Sequence, residues 1–105
     1  MGYAKERKKL EKLSEKTIGL QHYDAANLAI ITDIFEQYSH TIRILKNKDT
    51  VTFNGLYLDE LQVVKTCKTA LKLAEEEDRQ IQFIAYQKSL LDAITKTIQA
   101  TNNVA

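Results

Sequence analysis

Proline is absent from this 105-residue chain, glycine occurs three times, cysteine once and tryptophan not at all. Turn-rich β-sandwiches and glycine-rich nucleotide sites need residues that the chain hardly contains, so the composition favours helices and excludes most cofactor folds. The single cysteine, Cys67, cannot form an internal disulfide, which is typical of a reducing cytosol. No apolar run approaches the roughly 20 residues that cross a bilayer, and the N-terminus is charged from Lys5 onward. The sequence therefore predicts one cytoplasmic domain, residues 1–105, without a signal peptide or membrane contact.

The charge is nearly balanced overall but uneven along the chain. Fifteen basic and 14 acidic residues leave a net charge of +1, so no global field attracts nucleic acid. A basic segment at the N-terminus is the exception, and we expect its side chains to contact phosphates as point charges: Lys5, Arg7, Lys8, Lys9, Lys12 and Lys16. The alternative is that these cations pair with Glu11 and Glu15 on the same helix and only keep the surface soluble.

Helical signals dominate the first half of the chain. Residues 1–18 contain a basic helix with a thin apolar stripe, and Gly19 interrupts it. Asp24 is placed to cap a second helix, with Tyr23 packing onto Leu28 as a hydrophobic staple. Six apolar positions then follow one helical face, and Asn47 ends it: Ile31, Ile34, Phe35, Tyr38, Ile42 and Leu45.

Residues 50–58 carry a signal of a different kind. Asn54-Gly55 is the dipeptide best suited to a type I′ turn, and β-branched and aromatic residues flank it on both sides. The segment therefore predicts a short β-hairpin between the second and third helices. Asp59 is the expected cap of the third helix, with Leu58 stapled onto Val63.

The C-terminal part contains no Gly, Pro or Asn from Glu60 to Thr101. Its apolar positions nevertheless point in nearly opposite directions in residues 61–74 and residues 83–98. Two explanations are open: the chain turns near Asp78 and a fourth helix follows, or one long or kinked helix changes its packing partner halfway. The absence of helix breakers favours the long or kinked helix. A long helix exposes its second face, which predicts a homo-oligomer with an interface at these positions: Phe83, Ile84, Leu91, Ile94 and Ile98.

Few side chains suit catalysis. His22 and His40 are the only histidines. Glu36 and His40, with Asp33 one helical turn away, are too few ligands to hold a metal ion. Cys67 lies at a core-facing position, and the sequence offers no neighbouring base that would activate its thiol. No phosphate-binding glycine loop is present. The sequence predicts a protein that is not an enzyme and has no cofactor, metal or small-molecule substrate.

The order of elements over Tyr23 to Glu77 resembles the small terminase subunits of tailed phages and prophages. The resemblance comprises an aspartate that opens an apolar helix ending in a tyrosine, a hairpin and a second amphipathic helix. Its residues are Asp24, Leu28, Ile31, Phe35, Tyr38, Val51 to Gly55, Val64 and Leu71. The family's proline-containing stretch and Leu-Gly-Leu-Thr-like ending are missing. The resemblance implies a ring-forming, non-catalytic packaging protein that binds double-stranded DNA and passes it to a large ATP-hydrolysing subunit.

Together these features predict an all-α protein, with a basic helix in residues 1–18 and a helical hairpin core in residues 24–99. The leading functional hypothesis is an oligomeric DNA-packaging adaptor whose N-terminal lysines contact the DNA backbone. The alternative is a four-helix-bundle protein-interaction module, such as an immunity protein, an antitoxin or a regulator, that does not bind DNA.

Overall fold

A computed structural model describes residues 3–103, and these residues are helical nearly throughout. Besides the α-helices there is a π-helical turn at Leu56–Glu60 and a 3₁₀ turn at Glu76–Asp78. No strand occurs in this part of the chain, so the all-α prediction is confirmed. The five helices are α1 (Ala4–Ile18), α2 (Ala25–Lys48), α3 (Thr50–Gly55), α4 (Leu61–Leu73) and α5 (Arg79–Asn103).

The second helix forms as its sequence pattern predicts. Asp24 caps it, because its Oδ1 accepts a hydrogen bond from the backbone N–H of Asn27 at 2.7 Å. Tyr23 and Leu28 are both partly buried against the core. All six positions of the predicted apolar face are buried, and the helix ends at Lys48, one residue beyond Asn47.

The predicted β-hairpin is wrong, because residues 50–58 are helical. Asp49 caps α3: its carboxylate accepts hydrogen bonds from the backbone N–H and the hydroxyl of Thr52 at 3.1 and 2.6 Å. Gly55 has right-handed helical angles, φ −61° and ψ −42°, where a type I′ turn needs positive φ. Phe53 is fully buried and packs edge-on against Tyr3 at a centroid distance of 5.4 Å. This tertiary contact outweighs the local turn preference of Asn54-Gly55.

The third-helix start predicted at Asp59 is also wrong. Asp59 lies inside the π turn and caps nothing. Leu58 and Val63 are 56% and 52% exposed, so the expected staple between them does not form. The π turn is a local insertion in a continuous helical segment that runs through residues 50–73.

The preference for one long C-terminal helix is wrong as well. Ala74 and Glu75 have extended backbones, with ψ angles of 144° and 156°, and they end α4 at Leu73. The chain turns there, and α5 packs back against both α4 and α1. The two apolar faces that point in opposite directions along the sequence are therefore buried in one core of a single chain.

Polar side chains on α5 fasten the rest of the bundle to it. Gln80 accepts a hydrogen bond from the backbone N–H of Tyr23 at 2.7 Å and donates one to the carbonyl oxygen of Gln21 at 2.6 Å. The hydroxyls of Tyr38 and Thr97 lie 2.9 Å apart in the core. Through its whole length α5 belongs to the common core, since it contacts both α1 and α4.

Candidate binding surfaces

The outer face of α1 is lined with lysines. Leu10, Leu13 and Thr17 of this helix are buried against the bundle, which turns the opposite side to solvent. At 100° per residue, five lysines fall within about 100° of the helix circumference. All five are exposed: Lys5, Lys8, Lys9, Lys12 and Lys16. We call this surface the lysine face of α1.

The acidic residues of α1 do not neutralise this face by direct pairing. Glu11 and Glu15 are exposed, and within residues 3–103 neither lies within ion-pair distance of a lysine. Glu6 instead pairs with Lys48 of α2 at 3.0 Å, and this hydrogen bond lowers the pKa of the Glu6 carboxyl. The five lysines remain available to an external anion.

Arg7 does not belong to the lysine face. Its Nε donates to the hydroxyl of Thr101 at 3.2 Å, and its Nη2 donates to the carbonyl oxygen of Thr101 at 2.9 Å. The guanidinium thus joins the first turns of α1 to the end of α5. The structure assigns Arg7 a structural contact in place of the phosphate contact expected from the sequence.

The residues predicted for an oligomer interface do not form one exposed surface. Phe83 and Ile94 are fully buried in the chain's own core. Ile84, Leu91 and Ile98 are partly buried. An oligomer stays a prediction, but the exposed apolar face that motivated it is absent from the described part of the chain, because the turn at Ala74 lets α5 cover its apolar side internally.

The candidate metal and thiol residues remain dispersed. Asp33, Glu36 and His40 are all exposed on α2, and Asp33 accepts a hydrogen bond from Gln37 at 2.6 Å. Residues 3–103 contain no group of three His, Cys, Asp or Glu side chains placed to hold a metal ion. Cys67 is partly buried and packs against the core.

A second basic surface, not anticipated from the sequence, lies between α2, α4 and the start of α5. It is a cleft of about 740 Å³ whose lining includes aromatic and aliphatic side chains, among them Phe35 and Leu71. The Lys68 ammonium lies 4.7 Å from the centroid of the Phe35 ring. No acidic residue lines the cleft. Its four cations are Lys65, Lys68, Lys72 and Arg79; we call it the basic cleft.

Tyr86 forms part of the wall of the basic cleft. The residue is fully buried, and its hydroxyl has no hydrogen-bond partner within residues 3–103. Burial, and secondarily the negative charge of Glu36, raises the pKa of the Tyr86 hydroxyl well above its ordinary value. The side chain therefore offers a neutral donor that the fold itself leaves unused.

Part of the signal for the basic cleft is present in the sequence. Lys65, Lys68 and Lys72 have i, i+3, i+7 spacing, which places them on one side of a helix. Arg79 and Tyr86 join them only because the chain reverses at Ala74 and Glu75. The long C-terminal helix favoured by the sequence would place Arg79 and Tyr86 far from these lysines.

Comparison of the chain with protein-family models, with curated proteins and with solved structures found no match. None of the helices in residues 3–103 combines the length and the apolar character that a bilayer crossing requires.

Proposed function

We propose that this protein is a non-catalytic helical binding module that contacts the phosphate backbone of double-stranded DNA through the lysine face of α1. The observation that carries the proposal is the exposure of five lysines side by side without ion pairs to the neighbouring Glu11 and Glu15. Ammonium groups arranged in this way contact phosphates without reading bases.

The number of lysines limits how strongly one copy binds. Five phosphate contacts correspond to a slope of log K against log salt of about −4.5 on duplex DNA, because each contact contributes about −0.9. Binding by a single copy is therefore weak at physiological salt and independent of sequence. A steeper slope would mean that further copies or further cations take part, as in the oligomeric form of the hypothesis.

The direct test is a fluorescence-anisotropy titration of labelled duplex DNA at several salt concentrations. The test variant is Lys9→Gln with Lys12→Gln, which removes two charges from the lysine face. The matched control is Arg43→Gln with Lys88→Gln, which removes two exposed charges from α2 and α5. Circular dichroism establishes that both variants keep the wild-type helix content.

We expect the α1 double variant to bind more weakly at every salt concentration, with a salt slope shallower by about 1.8 than that of the wild type. The control double variant should keep most of the wild-type slope. If wild-type protein fails to bind at low salt, or if the two double variants lose the same amount, the lysine face is not a DNA-binding surface.

A role in phage DNA packaging, with a homo-oligomer and a large ATPase subunit as partners, is the more specific form of this proposal. Two parts of the resemblance to small terminase subunits support it, namely the apolar helix opened by Asp24 and the amphipathic helix through Val64. The third part, the hairpin, gives no support because that segment is helical. Genes for a large ATPase subunit and a portal beside the gene for this chain would support it. Their absence from that neighbourhood would argue against it.

The protein-interaction module is the second candidate, and the closed core favours it. Each helix buries its apolar side within one chain, so a compact bundle needs no second copy to cover it. Leu73 and Ile81, on either side of the turn between α4 and α5, are 76% and 67% exposed, which suits contact with another protein. A negative DNA titration would give this candidate the lead.

A further inference from the structure

We propose that the basic cleft binds a small amphipathic anion, an apolar ring or chain that carries a phosphate or carboxylate group. This proposal does not depend on DNA binding, because the cleft is lined by residues of α2, α4 and α5 and by Tyr23 in the link before α2, and by none of α1. The cleft is described as a ligand-binding site, without a reaction, since no group in it is placed to act as a nucleophile.

The size and lining of the cleft suit such a ligand. Its volume of about 740 Å³ lies within the range of small-molecule sites, which are mostly apolar with a few placed polar groups. Phe35, Leu71 and Leu28 supply apolar contact area, and Thr32 and Thr69 add hydroxyls. An apolar ligand body would replace water over this surface.

The charged residues of the cleft indicate that the ligand is negatively charged. Four cations line the cleft in a chain whose net charge is only +1, and the lining contains no carboxylate. Within the described residues none of these cations takes part in an ion pair. Glu75 to Asp78 lie in the adjoining turn and contribute nothing to the lining. Ammonium and guanidinium groups that line one cleft can form charge-assisted hydrogen bonds with phosphate or carboxylate oxygens.

Tyr86 is the independent sign that a ligand belongs here. A buried hydroxyl without a partner is costly, and native structures satisfy nearly all such groups. Tyr86 lines the cleft, and its hydroxyl has no partner in residues 3–103. We assign that O–H as a donor to the anionic oxygen of the ligand. Because the hydroxyl is fully covered in the free protein, this contact requires side chains of the cleft wall to move when the ligand binds.

The experiment uses 2-naphthyl phosphate and 2-naphthoate as amphipathic anions, with 2-naphthol as the neutral analogue and inorganic phosphate as the head group alone. Isothermal titration calorimetry on the full chain measures each affinity. We expect the better of the two naphthyl anions to bind at least tenfold more tightly than 2-naphthol and inorganic phosphate. The comparison between phosphate and carboxylate identifies which head group the cleft prefers. Amide chemical-shift changes should centre on residues 65–72 and 79–86.

Two variants test the assigned contacts, and a single Lys→Gln variant outside the cleft is the control. Lys68→Gln with Lys72→Gln should weaken binding of the preferred anion at least tenfold while changing 2-naphthol binding less than twofold. Lys88→Gln removes one exposed charge from the opposite side of α5 and should change neither. Tyr86→Phe should weaken anion binding about tenfold, as expected for loss of a hydrogen bond to a charged group.

Thermal unfolding of Tyr86→Phe separates a ligand contact from a structural role. Because the hydroxyl has no partner in the free protein, its removal should leave the melting temperature of the free protein unchanged or raise it. Unchanged anion affinity of Tyr86→Phe, at any melting temperature, would overturn the role of Tyr86. Equal affinity for 2-naphthol and the anions, or no binding of either anion at millimolar concentration, would overturn the site.

Discussion

Gln87, in the middle of α5, donates a hydrogen bond from its Nε2 to the carbonyl oxygen of Thr17 in the last turn of α1, at 2.9 Å. The two residues are 70 positions apart in the chain, and both are buried. The last carbonyl groups of a helix lack partners within the helix. The Thr17 carbonyl accepts the backbone N–H of Leu20 at 3.1 Å, and Gln87 adds a second, tertiary hydrogen bond that fixes the end of α1 against α5.

We expect Gln87→Leu to lower the free energy of unfolding by about 0.5–1.5 kcal/mol, because the change keeps the side-chain volume but removes a buried hydrogen bond, while the Thr17 carbonyl keeps the one from the backbone N–H of Leu20. Urea denaturation monitored by circular dichroism measures the loss. Gln99→Leu, at an exposed position of the same helix, is the control and should change stability by less than about 0.5 kcal/mol. Equal effects of the two variants would show that the buried hydrogen bond contributes nothing.

Gly55→Ala should raise the free energy of unfolding by about 0.5–1 kcal/mol, since alanine is favoured over glycine inside a helix. The backbone of Gly55 is helical, and a Cβ added there meets no atom within 4 Å. A type I′ hairpin turn would give the opposite sign, because it needs positive φ at this position. Chemical denaturation of the variant therefore distinguishes the helix from the predicted hairpin, and a loss of stability would favour the hairpin.

Arg7→Gln should lower the free energy of unfolding by about 1–2 kcal/mol, because it removes two hydrogen bonds to Thr101. The salt slope of DNA binding should stay at the wild-type value, since Arg7 lies off the lysine face. For Lys9→Gln we expect the opposite pattern: the free energy of unfolding stays unchanged, and the salt slope of DNA binding becomes shallower by about 0.9. A shallower slope for Arg7→Gln would return this residue to the DNA-binding set.

Tyr38 should make stability fall at alkaline pH. Burial raises the pKa of Tyr38 to about 12 from its ordinary value of 10.0, although the hydrogen bond with Thr97 opposes this shift. Between these two values the unfolded chain releases the proton and the folded chain keeps it. The contribution to stability is therefore complete below pH 10 and is lost as the pH rises toward 12.

The measurement is urea unfolding of the wild type and of Tyr38→Phe from pH 8 to pH 11.5. At neutral pH the variant should be less stable, because Thr97 loses its partner hydroxyl. The stability of the wild type relative to the variant should decline by about 2 kcal/mol by pH 11.5, as a shift of two pKa units requires. A difference that stays constant over this range would mean that Tyr38 titrates as it does in the unfolded chain.

Local signals in the sequence were sufficient for α2. Asp24 supplies the cap, and the apolar side chains from Ile31 to Leu45 recur with the period of an α-helix, so one face has to be buried wherever the helix packs. The exposure of the lysines on α1 follows in the same way from the apolar stripe of Leu10 and Leu13. These features depend on neighbours within one or two turns, and such neighbours are visible in sequence.

The third element could not be predicted locally. Asn54-Gly55 favours a turn when it is considered alone, but glycine in a helix costs only about 1 kcal/mol relative to alanine. Full burial of a phenylalanine contributes about 1.5–3 kcal/mol. Phe53 gains that burial against Tyr3, 50 positions earlier in the chain. The contact between distant residues therefore exceeds the local preference.

The sequence alone determined that the chain is helical, where α1 and α2 form, and which lysines of α1 face solvent, because each follows from periodicity and capping within a few residues. Tertiary structure decided the turn at Ala74 and the placement of α5. Residues 75–82 are good helix formers, yet differences in propensity among such residues amount to a few tenths of a kcal/mol each. Closing the chain buries Phe83, Leu90 and Ile94 at about 1.5–3 kcal/mol apiece. The same closure brings Arg79 and Tyr86 beside the lysines of α4, so the basic cleft exists only in the folded chain.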